Sequence, residues 1–595
     1  MERDLAAWID KARQHHQDGE LELAAATYRR ILQAQPAQVE ALTGLAEIFQ
    51  VRGNAIEAVA LLEEGLRSSP DSASLLESLG NARHARGLLE SAISAYREAL
   101  DREPCRTGAL WGMGCAQASL GDHAAAAESL RQLVELQPDY GQGQHNLGRS
   151  LYELGQVDQA LESFQRAFHA LPPEARAVPL TNMAMVIPGS PSVSNREILE
   201  CRRAWASQCL LSGPVSKTFP DRDSRPARPL RLGYVSAYFA RRNWMKPVWG
   251  LINHHDRERF EIHLFSDGPE PSIAEGCGRH SCDHLHETSG LSNQALAQLI
   301  EEVQIDVLVD LNGYSKPPRL GLFALRAAPV QVAWFNMFAT SGLRGFDYIV
   351  GDRHVILDQE ESFYTEQVVR VPGSYLTFEV GYPVPEISPL PCLAAGFLTF
   401  GCLAPQYKIT TEVIEAWSRI LNASPTSRLV LKNVVLEQPA ARDFVRSQFA
   451  RFSIAPDRLD LEGPAEHYAF LERYAGIDVA LDTFPYNGGT TTMEALWQGV
   501  PVLCFAGDRW ASRISASLLR EAGLAEFVAP DLELYIAQAV ALARDPDSPG
   551  RLQLLRTSLR DRLRLAPVND VTAFARNMEN AYRAMWQWWC ERMRP

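Results

Sequence analysis

The chain has 595 residues, with 58 lysines and arginines against 72 aspartates and glutamates, which gives a formal net charge of −14. This length allows several domains. The acidic balance argues against a nucleic-acid-binding protein, because binding the phosphate backbone requires a basic face. Residues 1–20 are too charged for the apolar core of a secretory signal, and no run of about 18 apolar residues occurs, so we expect a cytoplasmic protein without a membrane span.

The first 172 residues are periodic. Proline recurs every 34 residues, at Pro36, Pro70, Pro104, Pro138 and Pro172. Glycine recurs at the same interval, at Gly19, Gly53, Gly87, Gly121 and Gly155. A second glycine register comprises Gly80, Gly114 and Gly148. This period resembles that of the tetratricopeptide repeat. In such a helix pair glycine permits the turn and close helix contacts, while proline ends the second helix.

We expect five tetratricopeptide repeats over residues 1–172, stacked into an α-solenoid whose concave surface holds a protein partner. The alternative is that these helices only pack against the next domain. Residues 173–228 lose the period. They are interpreted as a connector with a helix at about 194–212, followed by a polar, proline-bearing linker.

Two later regions, residues 229–385 and 392–566, alternate short apolar strands with helical stretches, which predicts two parallel sheets. The strands are placed from Arg231 and at 260–267, 305–313, 330–335 and 347–352, then at 397–403, 428–433, 458–463, 477–483 and 501–507. A proline-rich hinge at 381–391 separates the two lobes, and residues 567–595 form a C-terminal helix. In such folds ligands bind beyond the carboxyl ends of the strands, so we expect a cleft between the lobes.

A group of metal-ligating residue types lies between two predicted strands of the first lobe. It contains Cys277, His280, Cys282, His284 and His286. Thiolates and imidazoles are zinc ligands, so a zinc site is one interpretation. The spacing matches no standard zinc finger and no second half-site follows, which favours the alternative of a short strand and loop without a metal.

The segment 481–503 carries the strongest chemical signal. A predicted strand ends at Asp482, and Gly488 and Gly489 precede three threonines that open a helix. The free amides and hydroxyls of such a helix terminus bind anions, and the glycines let a phosphate approach the backbone. A carboxylate one turn into the helix, Glu494, could accept from ribose hydroxyls. The alternative is a plain helix cap with a tight turn.

Two further segments of the second lobe follow predicted strands. Lys408 comes after the first strand, where an ammonium could neutralise a departing diphosphate. The alternative for Lys408 is a solvated surface lysine. Gly507 and Arg513 follow the last strand and are candidates for nucleotide binding, with a solvated loop and surface helix as the alternative.

Together these segments resemble glycosyltransferase family 41, which contains protein O-GlcNAc transferases and SPINDLY-like proteins. The resemblance covers roughly residues 231–565 and includes RLGYVS, VDLNGY, YKIT and LDTFPYNGGTTTMEALWQGVPVL. It implies a GT-B fold, a UDP-sugar as donor substrate, inversion at the anomeric carbon and no metal cofactor. It also implies Lys408 as the leaving-group lysine and a set of nucleotide-contacting residues: Asn487, Gly488, Gly489, Thr490, Thr491, Glu494 and His467.

The chain departs from the family pattern on the sugar side, where Arg242 and Lys246 stand in place of histidines. Lys408 and Arg242 are the candidate catalytic residues, although an arginine cannot be a general base at neutral pH. The leading hypothesis is transfer of GlcNAc to a serine or threonine of a protein held by the repeats. The alternatives are an asparagine glucosyltransferase, a flagellin-type glycosyltransferase with another nucleotide sugar, or a catalytically weak scaffold.

Overall fold

The computed structural model describes residues 2–210, 217–220, 222–269 and 280–592. The chain divides into two compact units. The first comprises residues 1–154, 162–176 and 438–444, and the second comprises residues 155–161, 177–437 and 445–595. Among the described helices, none is both long enough and apolar enough to cross a membrane.

The N-terminal region is a series of helices of similar length joined by short turns. They are α1 (Glu2–Gln17), α2 (Leu21–Ala34), α3 (Val39–Val51), α4 (Ala55–Ser68), α5 (Ala73–Ala85), α6 (Leu89–Arg102), α7 (Thr107–Ser119), α8 (His123–Leu136), α9 (Gly141–Glu153) and α10 (Val157–Ala170). The predicted helical repeats are therefore confirmed.

The repeated residues occupy the positions that the period predicts. Each repeated proline lies two residues beyond the end of an even-numbered helix, from Pro36 after α2 to Pro172 after α10. The turn glycines all have positive φ, between 72° and 81°. At Gly80, an added Cβ would lie 2.5 Å from the ring of Tyr96. This glycine is therefore required for close approach of α5 and α6, which pack together.

The first sheet of the second unit has seven parallel strands in the order β3-β2-β1-β4-β5-β6-β7. They are β1 (Leu230–Ser236), β2 (Phe260–Ser266), β3 (His284–Glu287), β4 (Val307–Asp310), β5 (Val330–Ala333), β6 (Tyr348–Gly351) and β7 (Gln367–Arg370). Strands β4, β5 and β6 are buried along their whole length, as expected for a parallel sheet covered on both faces. Strand β7 was not predicted from the sequence.

The second sheet has six parallel strands in the order β10-β9-β8-β11-β12-β13. They are β8 (Thr399–Cys402), β9 (Arg428–Lys432), β10 (Leu459–Glu462), β11 (Val479–Leu481), β12 (Val502–Phe505) and β13 (Val528–Ala529). In each sheet the strand order changes direction at the first strand in the sequence, β1 or β8. Helical repeats followed by two such sheets confirm the predicted fold class of a TPR α-solenoid followed by a GT-B pair of lobes.

The remaining helices connect and cover the strands. They are α11 (Ala177–Val186), α12 (Asn195–Cys209), α13 (Lys246–Asn253), α14 (Asn293–Glu302), α15 (Leu320–Ala324), α16 (Cys392–Ala395), α17 (Thr411–Ala423), α18 (Pro439–Ala450), α19 (His467–Glu472), α20 (Thr490–Trp497), α21 (Ile514–Glu521), α22 (Leu532–Arg544), α23 (Ser548–Arg564) and α24 (Val571–Arg592). The helix predicted at 194–212 is α12.

The C-terminal helix α24 returns to the first lobe. It packs against α13, and its Glu579 carboxylate lies 3.0 Å from Nδ1 of His255. The hydroxyl of Tyr582 lies 3.5 Å from that of Tyr234 on β1. Trp586 on the same helix is fully buried. The last segment of the chain therefore completes the core of the lobe whose strands begin at Leu230.

Candidate functional site

The loop between β11 and α20 is held by its own hydrogen bonds. The amide of Gly488 donates to Oδ1 of Asp482 at 2.9 Å. The side-chain amide of Asn487 donates to the Thr483 carbonyl at 2.6 Å. Ser515 from α21 donates to the Gly488 carbonyl at 3.1 Å. These contacts fix the backbone that leads into the helix.

The helix terminus after this loop is open. The cap position of α20 is Gly489, which provides no side-chain cap. The threonines lie inside the first turn, and a plain helix cap after the glycines stays the alternative to an anion site. The first amides of a helix have no intrahelical acceptor. Thr490 and Thr491 are both half-buried, and their amides and hydroxyls are therefore available to an anion.

Lys408 points to the same loop. It follows β8, and its ammonium donates to the Asn487 carbonyl at 2.6 Å. The ammonium also lies 3.9 Å from the ring centroid of Tyr486, within the range of a cation–π contact. Burial lowers the pKa of Lys408 to about 8, while the nearby carboxylate of Asp482 opposes that change. Lys408 is therefore not the solvated surface lysine of the alternative interpretation.

Asp482 is a buried carboxylate beneath the loop. Its side chain is 6% exposed, and burial raises its pKa, against the hydrogen bond from Gly488 and the charge of Lys408. Since each charge favours the ionised form of the other, Asp482 and Lys408 form an electrostatic pair at the carboxyl edge of the second sheet.

Glu494 lies one turn into α20, where it joins the two lobes. Its Oε1 accepts from the ammonium of Lys246 on α13 at 2.6 Å and lies 2.9 Å from Nε2 of His467. The same ammonium donates to the hydroxyl of Tyr382 at 2.7 Å. Burial lowers the pKa of Lys246, and the Glu494 carboxylate opposes that change. The structure thus brings the predicted residues Glu494 and His467 together.

Arg242 lies beside this group. It is half-buried, it donates to the Gly381 carbonyl at 3.2 Å, and its guanidinium lies 5.4 Å from the ring centroid of Tyr382. Lys246 and Tyr382 were not assigned as site residues from the sequence. Tyr382 belongs to the proline-rich hinge, and no local pattern signals that its hydroxyl reaches α13. For Lys246 the sequence did contain an indication of a site residue, since this lysine replaces a histidine of the family pattern.

Gly507 and Arg513 belong to a different set of contacts. Arg513 is 5% exposed, so it does not lie on the solvated loop of the alternative interpretation. Its guanidinium makes a bidentate ion pair with Glu360 of the first lobe, at 2.7 and 2.8 Å. Its Nε donates to the Gly507 carbonyl at 2.7 Å, and Nη1 also donates to the Val355 carbonyl at 3.5 Å. The structure does not bring this guanidinium to the glycine-threonine loop, and its role in nucleotide binding stays a prediction.

The described residues also locate the cysteine and histidine group. His284 and His286 lie on the short strand β3, so the predicted short strand is present. His280 and Cys282 lie just before it, with His280 Nδ1 2.8 Å from the Cys282 sulfur. Cys277 lies outside the described residues.

A buried lysine and an open helix terminus at the carboxyl ends of the second of two parallel lobes are the arrangement expected from the sequence. The family model described as glycosyltransferase family 41 matches residues 208–381 and 390–578, more than half of the chain. The chain belongs to glycosyltransferase family 41. A tetratricopeptide-repeat model matches residues 43–105 and 112–175, so this family member carries the repeats in front of its two lobes.

Several relatives and solved structures are similar to this family 41 chain. A protein of Solanum lycopersicum described as a probable UDP-N-acetylglucosamine–peptide N-acetylglucosaminyltransferase SPINDLY is 31% identical over 66% of the chain and 42% of its own length. The protein of the same description from Oryza sativa is 32% identical over 66% of the chain and 43% of its own length. The chain thus spans less than half the length of these curated relatives.

One of these solved structures is a lysine-to-methionine mutant of the Thermobaculum terrenum O-GlcNAc transferase. It is 33% identical, covers 88% of this chain and 98% of its own, and superposes with a TM-score of 0.75. This similarity extends over both the repeats and the two lobes.

Proposed function

We propose that this protein is an inverting protein glycosyltransferase that moves GlcNAc from UDP-GlcNAc to a serine or threonine hydroxyl of another protein, without a metal cofactor. One observation carries the proposal: the Lys408 ammonium lies 2.6 Å from the backbone of the loop that leads into the open terminus of α20. A cation and a helix terminus that meet at one point suit a diphosphate. The descriptions of the relatives supply the GlcNAc donor.

In the proposed reaction, the acceptor oxygen attacks the anomeric carbon while the bond to the UDP oxygen breaks. Negative charge grows on the departing diphosphate, and stabilising charge as it develops accelerates the step. Lys408, the amides of Gly489 to Thr491 and the hydroxyls of Thr490 and Thr491 would provide that stabilisation. The acceptor proton passes to a base, for which a phosphate oxygen of the donor is our candidate.

Glu494 and His467 are proposed to contact the nucleotide, with Glu494 accepting from the ribose hydroxyls. The Glu494 carboxylate already binds Lys246, so a ribose would share or displace that contact. Arg242 is proposed to lie on the sugar side of the cleft, together with Lys246. The repeats are proposed to hold the acceptor protein, because stacked helix pairs form an extended concave surface.

The test is transfer of sugar mass to protein. The full chain is incubated with UDP-GlcNAc and acceptor proteins from a cell lysate, and intact-mass spectrometry is followed by mapping of the modified residue. Lys408→Ala is compared with Lys11→Ala, which removes an exposed lysine in α1. We expect a GlcNAc mass on serine or threonine with the wild type and Lys11→Ala, and its loss with Lys408→Ala.

Parallel incubations with other UDP-, GDP- and dTDP-sugars separate the remaining hypotheses. Transfer from another nucleotide sugar alone would replace the donor in the proposal, and modification of asparagine would replace the acceptor. If UDP binds but no sugar is transferred or hydrolysed with any donor, the enzyme proposal fails and a scaffold role is favoured. A requirement for a divalent cation would contradict the metal-independent step, so each reaction is repeated with EDTA.

A further inference from the structure

A group of histidines lies on one face of the first sheet, away from the cleft. Glu261 and His263 are two residues apart on β2, so their side chains share a face. His263 pairs in register with His284 on β3, which is the edge strand of the sheet. His286 lies two residues further along β3 on the same face. Three imidazoles and a carboxylate thus lie together on β2 and the edge strand β3.

The distances within this group match those between metal ligands. Oε1 of Glu261 lies 3.0 Å from Nε2 of His263 and 3.4 Å from Nε2 of His284. The ligand atoms of these three residues all lie within 4.8 Å of one another. Two ligands of tetrahedral zinc with bonds of about 2.0–2.1 Å are about 3.3 Å apart. The distance from the carboxylate oxygen to each of the two nitrogens is therefore close to that between zinc ligands.

Contacts around the three residues orient them. The other carboxylate oxygen of Glu261, Oε2, accepts from Nε of Arg231 at 3.1 Å, which leaves Oε1 for the imidazoles. Nδ1 of His263 lies 3.1 Å from Nε2 of His286. A hydrogen bond from the ring nitrogen that does not bind the metal is the usual support of a histidine ligand. Arg231 and His286 would act as these outer partners.

The candidate site is open to solvent. The side chain of His284 is 52% exposed and that of Glu261 is 40% exposed, so an ion can enter from solvent.

We propose that Glu261, His263 and His284 bind a zinc ion that joins the edge strand β3 to β2, with His286 as the outer partner of His263. Three protein ligands leave a fourth position for water. The site is separate from the proposed transfer reaction, whose residues follow the carboxyl ends of the strands. Its role is structural, because an ion bound only by the folded sheet stabilises that sheet.

The test uses the full, tag-free chain, stripped with a chelator and titrated with ZnCl₂ by isothermal titration calorimetry. We expect one bound zinc per chain and a rise in the thermal midpoint. His284→Ala and Glu261→Gln should abolish the one-to-one binding isotherm, and His286→Ala should weaken binding about 10- to 100-fold. The control variants His280→Ala and Cys282→Ser remove exposed residues of the neighbouring group and should bind zinc like the wild type.

Cobalt provides a second measurement. Co²⁺ bound by oxygen and nitrogen ligands gives visible d–d bands without the thiolate charge-transfer band that a cysteine ligand would add. No zinc binding by the wild type would overturn the proposal. So would wild-type binding in both His284→Ala and Glu261→Gln, or loss of binding in His280→Ala or Cys282→Ser. Circular dichroism of the metal-free His284→Ala variant, expected to match the wild type, separates loss of a ligand from misfolding.

Discussion

The ammonium of Lys246 and the carboxylate of Glu494 form a buried ion pair between the two lobes, with 2.6 Å between Nζ and Oε1. Lys246 opens α13 in the first lobe, and Glu494 lies in α20 of the second. The side chains are only 3% and 4% exposed. Glu494 belongs to the helix that is proposed to bind the nucleotide, so the pair would couple the contact between the lobes to that proposed donor site.

Removing one member of this pair should destabilise the protein. Glu494→Gln leaves the Lys246 charge buried without its carboxylate partner. Lys246→Met leaves the Glu494 charge buried without its ammonium partner. We expect each change to lower the free energy of unfolding by about 3–5 kcal/mol. The double variant should recover most of the loss. Thermal midpoints of the two single variants and the double variant provide the test, and additive losses would contradict a direct pair.

Lys408→Ala should lower the transfer rate about 10²- to 10³-fold, the usual effect of removing one group that stabilises developing negative charge. The affinity for UDP should change less than kcat, because the charge of the leaving group grows in the transition state. Single-turnover rates and UDP binding are compared in Lys408→Ala and Lys11→Ala. An equal loss of affinity and rate would assign Lys408 to ground-state binding instead.

The pH dependence of transfer should report the charge of Lys408. Its pKa is about 8, so the ammonium is present below that pH and is lost as the pH rises through it. We therefore expect kcat/KM, which reports the ionisation of the free enzyme, to fall on the alkaline side with a midpoint near that value. Lys408→Arg, which stays protonated, should remove this alkaline limb even if its activity is lower. A limb that persists in Lys408→Arg would assign the titration to another group.

Asp482→Asn should move the same alkaline limb to lower pH. The Asp482 carboxylate raises the pKa of Lys408, and the neutral amide removes that contribution. The amide oxygen of asparagine can still accept from Gly488, so the loop should keep its conformation. The pH profile of kcat/KM is measured for the wild type and Asp482→Asn, with a shift to higher pH as the contradicting result.

Arg513→Met and Glu360→Gln should lower the thermal midpoint while leaving UDP affinity unchanged at temperatures where the variants are folded. The reason is that the Arg513 guanidinium is engaged by Glu360 and the Gly507 carbonyl. Calorimetric titration with UDP distinguishes this structural role from the nucleotide-binding role predicted from the sequence. A large loss of UDP affinity in Arg513→Met, with wild-type affinity in Glu360→Gln, would support the nucleotide-binding role.

Gly80→Ala should destabilise the repeats by about 1–3 kcal/mol, the usual cost of inserting a methyl group into a packed core. The added Cβ would lie 2.5 Å from the Tyr96 ring, between α5 and α6. Gly290→Ala is a matched control, because an added Cβ there meets no atom within 4 Å. Unfolding midpoints followed by circular dichroism should fall only for Gly80→Ala.

Much of the fold could be predicted because its signals are local. The 34-residue period places a glycine in the loop between the two helices of each repeat and a proline after the second helix. The structure has both features. Buried parallel strands appear in the sequence as short apolar runs, which is how β4 and β11 were found. The strands missed at 367–370 and 528–529 are short edge strands, whose partial exposure weakens that signal.

The sequence by itself determined the repeats, the two parallel lobes and the glycine-threonine loop before α20, because each depends on residues that are neighbours along the chain. Only the tertiary structure decided which distant side chains meet. In the folded chain Lys246 contacts Glu494, Arg513 contacts Glu360, α24 packs against the first lobe, and Glu261 lies beside His284. Such contacts depend on crossover order and strand register, which bring together residues that no local pattern connects.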